Sequence, residues 1–170
     1  MARRKQRSAL TGVALGLAAG AAATGVMTAY QEAVSRARGK SQLREQAKEP
    51  RTWAEAPAPA QLAKRVSEGL FSRRVTKKQA PAVTAAMHWA YGTSLGALFG
   101  LVQSRARPPA ALHGLAFGTA VWAWAYLMLP ALKIYEPIWR YPPKTLAVDL
   151  SHHLVYGLSL AGAYAAIAER

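Results

Sequence analysis

The sequence predicts an all-α protein, a four-helix transmembrane bundle with a parallel two-fold internal repeat of helix pairs. Three observations predict it. The first is that charge is excluded from four stretches, residues 8–31, 79–104, 108–132 and 150–168, although the chain of 170 residues carries a net charge of +14. A spanning helix needs about 20 mostly apolar residues at 1.5 Å rise each, and each stretch reaches or approaches that length. The mean hydropathy of +0.01 looks soluble only because residues 32–78 are basic. The second is a phrase written twice: His88-Trp89-Ala90-Tyr91-Gly92-Thr93-Ser94-Leu95 returns as His153-Leu154-Val155-Tyr156-Gly157-Leu158-Ser159-Leu160. The third is a weaker echo between Gly12-Val13-Ala14-Leu15-Gly16 and Gly114-Leu115-Ala116-Phe117-Gly118. Two spans return a chain to its starting side, so the two halves would enter the membrane in the same orientation, related by an axis along its normal.

Residues 1–30 read as a basic tail and a first span. Gly12, Gly16, Gly20, Thr24 and Thr28 recur at every fourth position and make a packing ridge. The basic start and Ala21-Ala22-Ala23 also fit a signal peptide, but the run is longer than an h-region and a discarded peptide needs no ridge. Residues 31–79 form a basic polar loop. Helix extends from the first span toward Gly39. Pro50, Pro57 and Pro59 then give a stiff linker, and residues 61–78 read as amphipathic. There, Leu62, Ala63, Val66 and Leu70 share a face, with Lys64, Arg65, Glu68 and Arg74 elsewhere. Such a helix lies on a bilayer with its basic face toward anionic lipids. Nothing beside it resembles a nucleic-acid recognition fold, so the charge implies no nucleic-acid partner.

Residues 80–104 form the second span and residues 108–130 the third, joined so tightly that an antiparallel hairpin follows. The third span stops at Pro130. Residues 131–144 are an interfacial loop, because three prolines forbid a regular helix and its aromatics and cations suit headgroups. Residues 145–170 are the fourth span.

Between helices in lipid, close backbone contact supplies the attraction. Gly92, Gly96, Gly100, Gly114, Gly118 and Gly157 are the expected packing positions. The six polar residues His88, Tyr91, Asp149, His152, His153 and Tyr156 form the expected intramembrane network. His88 lies ten residues after Lys78 and His153 nine after Lys144, which puts both about 14 Å inside the same surface. His113 lies near the opposite surface. Asp149 stands four residues before His153 and three before His152, spacings that allow side-chain contact. Both histidines are expected to face the bundle interior, with Asp149 turned toward His153 or a flanking lysine.

The absence of cysteine excludes disulfides and thiolate chemistry. No phosphate loop, nucleophile elbow or dinucleotide fingerprint is present. The chain therefore reads as a structural or accessory membrane component, with no enzymatic activity, catalytic residue, resident metal or cofactor expected. The alternative is a proton- or ion-conducting module using the His/Asp network. A further alternative is an intramembrane metal site built on His88, His153 and Asp149. The expected partners are the bilayer, anionic lipids at the basic loop and, as a further option, a second copy of the chain in a homo-oligomer.

Gly114-Leu115-Ala116-Phe117-Gly118, Leu129-Pro130, Pro137-x-Trp139 and His153-Leu154-Val155 resemble the YagU-like family of small bacterial inner-membrane proteins of unassigned function. A basic tail before a small-residue helix is similar too, so the resemblance touches three of the four spans. The long basic first loop departs from the family. The resemblance implies a multi-pass protein of the bacterial inner membrane and no particular activity. On orientation the signals conflict. Placing the N-terminus outside puts fifteen Lys/Arg in the cytoplasm against seven for the reverse, as the positive-inside rule prefers. The dense basic start and the resemblance favour the N-terminus inside, which is the orientation adopted.

Overall fold

The computed structural model describes residues 8–39, 50, 52–103 and 109–169. The basic tail before Ser8, most of the loop centre and the connection at 104–108 lie outside the described residues. Everything described is helix, turn or irregular chain, with no strand. Five α-helices follow one another: α1 (Ala9–Ala37), α2 (Ala58–Leu70), α3 (Ala80–Gln103), α4 (Ala110–Ala131) and α5 (Pro143–Ala168).

α1 starts where Ser8 Oγ accepts from the Thr11 backbone N–H at 3.1 Å, a side-chain cap for an otherwise orphaned donor. It runs as helix past the apolar stretch to Ala37. α2 departs from the sequence reading at both ends. Pro59 sits in its first turn, where a missing N–H costs nothing, so that proline begins the helix and does not belong to the linker. The helix ends at Leu70 and not at residue 78, because the chain turns at Ser72 with φ +52°. Thr76 and Gln79 then form a reciprocal cap that leads into α3.

α4 continues through the expected stop, Pro130, to Ala131. Pro130 lies inside its final turn. The left-handed Lys133, with φ +54°, closes that end as its N–H reaches Pro130 O at 2.8 Å and Ile134 N–H reaches Leu129 O at 2.9 Å. This satisfies carbonyls that a helix end leaves open. The proline-rich segment after it holds only one 3-10 turn, Ile138–Arg140, and α5 begins with Pro143 at its first position.

The helices pack through their smallest residues. α1 and α3 run antiparallel with Gly12 against Gly100, Gly16 against Gly96, and Gly20 against Gly92 and Gly96. A methyl added at Gly20 would lie 2.8 Å from the Gly96 Cα, closer than real Cβ atoms come. α4 and α5 repeat the arrangement, with Gly114 against Gly157 and Ala161, and Gly118 against the His153 carbonyl and Leu154. All six expected packing glycines are therefore at helix contacts. α1 also lies along α5, where Ala19, Ala23 and Met27 share the core with Tyr156, Leu160, Ala161 and Tyr164.

Two features differ from the sequence reading. First, α3 and α4 do not form a closely packed hairpin. Among the described residues they meet through side chains, chiefly Phe99 with His113 and Phe117 (ring centroids 4.8 and 5.2 Å) and the His113–Gln103 hydrogen bond. Second, the weaker echo is out of register. Gly157 meets Gly114, whereas its counterpart Gly92 meets Gly20 and Thr24, not Gly12. The packing equivalent of Gly114 is thus Gly20, eight positions from the residue that the echo pairs with it. Glycine four-spacing explains the error: a ridge repeating every turn matches itself at any whole number of turns.

At one end of the bundle α2 packs on the start of α3, burying Ala56, Ala60 and Ala80. Arg65 donates to the Leu132 carbonyl at 2.5 Å, Lys64 pairs with Glu68, and the Lys64 ammonium lies 5.5 Å from the Trp53 ring centre. The hydrogen bond from Lys64 holds the Glu68 carboxyl below its ordinary value. α2 is tied down at the end where α1 and α4 finish and α3 and α5 begin.

Candidate functional site

Four of the six expected network residues, His88, Tyr91, His153 and Tyr156, come together with Thr24, Met27, Gly92, Leu95 and Val121 around one cavity of about 70 Å³. Helices α1, α3, α4 and α5 each contribute to it. The glycine contacts draw α3 against α1 while Tyr156 crosses from α5, donating its hydroxyl to the Gly92 carbonyl at 2.6 Å. That bond joins the tyrosine of one phrase to the glycine of the other. Gly92 is already hydrogen-bonded within its helix turn, so Tyr156 uses the second lone pair of its carbonyl.

Hydrogen bonding selects the tautomer of a neutral His88 and of a neutral His153. Thr28 Oγ1 donates its single hydrogen to Thr24 O at 2.8 Å and stands 3.3 Å from His88 Nε2. His88 is therefore the donor there, and a neutral ring keeps its lone pair on Nδ1. His153 Nδ1 lies 2.9 Å from the Asp149 backbone carbonyl. A carbonyl only accepts, so Nδ1 carries the hydrogen and Nε2 keeps the lone pair. Thr24, fully buried, donates to Gly20 O at 2.8 Å.

Asp149 is not where the spacing placed it. Its backbone, not its carboxylate, meets His153. The carboxylate lies against Tyr126 and Tyr135, in a cluster completed by Tyr141, with ring centroids 5.4 to 6.1 Å apart. No ion pair of Asp149 with a lysine exists among the described residues. Burial first, and the Asp149 charge second, push the Tyr135 phenol up to about 12.

His152 stands apart from the cavity, edge-on to Tyr30 with centroids 5.6 Å apart, and its buried Nε2 has no hydrogen-bond partner among the described residues. Tyr30 donates to Ser151 Oγ at 3.3 Å, tying α1 to α5. No three His, Cys, Asp or Glu side chains converge among the described residues, so the ligand set His88, His153 and Asp149 is not assembled.

The sequence reading missed Thr24, Thr28, Met27 and Val121 as site residues, and the Trp122–Tyr126–Tyr135–Tyr141 cluster. Thr24 and Thr28 were visible as ridge residues. Their hydroxyls were the available signal, since helical threonines bond the carbonyl four residues back and can still accept. The tyrosine cluster had no such signal, because it depends on how a proline-rich loop folds over α4.

The arrangement is a small-residue helical bundle with a histidine-lined cavity between its halves. Comparison of the chain with family models, curated proteins and solved structures finds no match.

Proposed function

We propose that this chain is a multi-pass protein of the bacterial inner membrane with four spans, α1, α3, α4 and α5, serving as a structural or accessory component. One observation carries the reading: the closest helix approaches are made by small residues, and beside a core that holds Phe99, Leu160 and Tyr164 many large apolar side chains face outward. Those closest approaches are made by glycine, alanine and threonine, while Leu98, Trp124 and Leu127 are 50%, 55% and 67% exposed. Water would penalise that distribution, and hydrocarbon does not. α1 and α4 are long and apolar enough to cross a membrane, with only 39% and 22% of their most apolar stretches buried. A soluble core helix would be mostly buried. α3 and α5 fall short of that apolar mark, α3 carrying His88, Tyr91 and Gln103 and α5 carrying Lys144, Asp149, His152 and His153. The YagU-like resemblance is consistent with the same reading, and the basic residues around α2 suit anionic headgroups.

A second reading, a proton- or ion-conducting module, is favoured by His88 and His153 lining the same cavity. The accessory reading is supported by the bonds that two of the lining side chains make, which tie α1 to α3 through Thr28–His88 and α3 to α5 through Tyr156–Gly92. Purified protein in liposomes under an imposed pH gradient separates the two. The accessory reading expects the leak of protein-free vesicles. Proton flux above that leak, lost in His153→Ala, would replace it with conduction.

A further inference from the structure

The cavity has a chemical bias that its residue types alone do not reveal. Five polar side chains line it: Thr24, His88, Tyr91, His153 and Tyr156. Four of them have already given away their hydrogen. Thr24 donates to Gly20 O, Tyr156 to Gly92 O and His153 to Asp149 O, and His88 donates to Thr28. What remains on those four groups is lone pairs. Tyr91 is 44% exposed, and Met27 adds only a weakly accepting thioether. No carboxylate, lysine or arginine is among the lining residues.

Such a lining discriminates by chemistry. An anion finds only acceptors on those four groups. A carbonyl-bearing guest finds almost no donor. A hard divalent cation seeks charged oxygen ligands, and here there are none. A small guest that only donates, as an ammonium ion does through its N–H groups, is matched. The volume of about 70 Å³ exceeds the roughly 10–15 Å³ that one guest of water size requires.

We infer that the cavity between Thr24, His88, His153 and Tyr156 is a binding site for a small ammonium-type cation, the ammonium ion or a primary methylammonium. The inference rests on the cavity and its hydrogen bonds, not on the accessory or conducting reading.

Potassium is the informative control, because it is close to ammonium in size and charge but donates no hydrogen bond. Thermal unfolding of the detergent-solubilised full chain, in amine-free buffer, is measured in ammonium, methylammonium, potassium and sodium chloride at equal ionic strength. Binding to the folded state alone raises the Tm by linkage. A rise of roughly 3 °C or more in ammonium, absent in potassium and sodium, is expected. It should vanish in His153→Phe and shrink in His88→Phe, each of which removes a ring nitrogen that accepts. If His153→Phe does not fold, His88→Phe takes its place. An equal response to potassium, no response to ammonium, or a response that survives both variants overturns the site. The methylammonium arm sets its size: the same rise shows room for a methyl group, and its loss limits the guest to ammonium.

Discussion

Tyr135 shows how one side chain's environment becomes a property of the whole fold. It sits between α4 and α5, outside the apolar stretches, and burial first and the Asp149 carboxylate second raise its phenol from 10.0 to about 12. The neutral form is the one the folded state prefers. Its contribution is therefore complete below pH 10 and is lost as the pH climbs from 10 to 12, a swing of about 2–3 kcal/mol at most. Titration of phenolate absorbance should show a late step near pH 12 that Tyr135→Phe removes and Asp149→Asn moves to lower pH. A titration unchanged by both substitutions would mean that Tyr135 does not feel Asp149. Lys133, beside it, is a residue-scale cost of another kind, since a non-glycine side chain in the left-handed region is strained. The closed end of α4 offsets that strain with two backbone bonds.

At the scale of the element, the decisive contacts are backbone on backbone. Gly96 faces Gly16 and Gly20, and a methyl built on it would lie 2.5 Å from the Gly20 Cα. Neither partner has a side chain that could swing away, so the helices themselves must separate. Gly96→Ala should cost about 1–3 kcal/mol, the range for overpacking a tight contact. Gly162, with nothing within 4 Å of an added methyl, provides the contrast. Gly162→Ala should be stabilising by roughly 0.5–1 kcal/mol through helix propensity alone. Thermal melts of both variants in detergent check the pair, and equal effects would remove the argument for a tight α1–α3 seam. The same logic makes α2 a different sort of element. It touches the bundle through alanines and Arg65, while Leu70 and Phe71 at its end are 75% and 67% exposed.

For the whole molecule, α1 runs antiparallel to α3 and α5, and α4 antiparallel to α5, so successive long helices alternate in direction. The halves are not equivalent. α1 has a close run along α5, but among the described residues α4 has no comparable backbone approach to α3. An exact two-fold would require both. If the four long helices span a bilayer, Ser72 and Glu169 must lie on opposite sides of it. The natural lack of cysteine makes this easy to test. In oriented vesicles, Ser72→Cys and Glu169→Cys should react with a membrane-impermeant maleimide from opposite faces, and Leu98→Cys from neither. Labelling of both ends from one face, or ready labelling at position 98, would end the four-span reading.

The sequence by itself determined the helices and the positions where they touch. Apolar length and proline placement mark an element whatever surrounds it, and glycine four-spacing marks a face. It also singled out His88, Tyr91, His153 and Tyr156, because a repeated phrase is visible without a structure. Only the tertiary structure decided the register of the two halves, since a ridge of glycines has no unique alignment with itself. It alone turned the Asp149 carboxylate away from His153, toward tyrosines supplied by a loop whose path no local pattern dictates. It alone assigned the hydrogen bonds that leave the cavity lined with lone pairs. A residue's type states how many hydrogens it can give, and only its neighbours in space decide where they go.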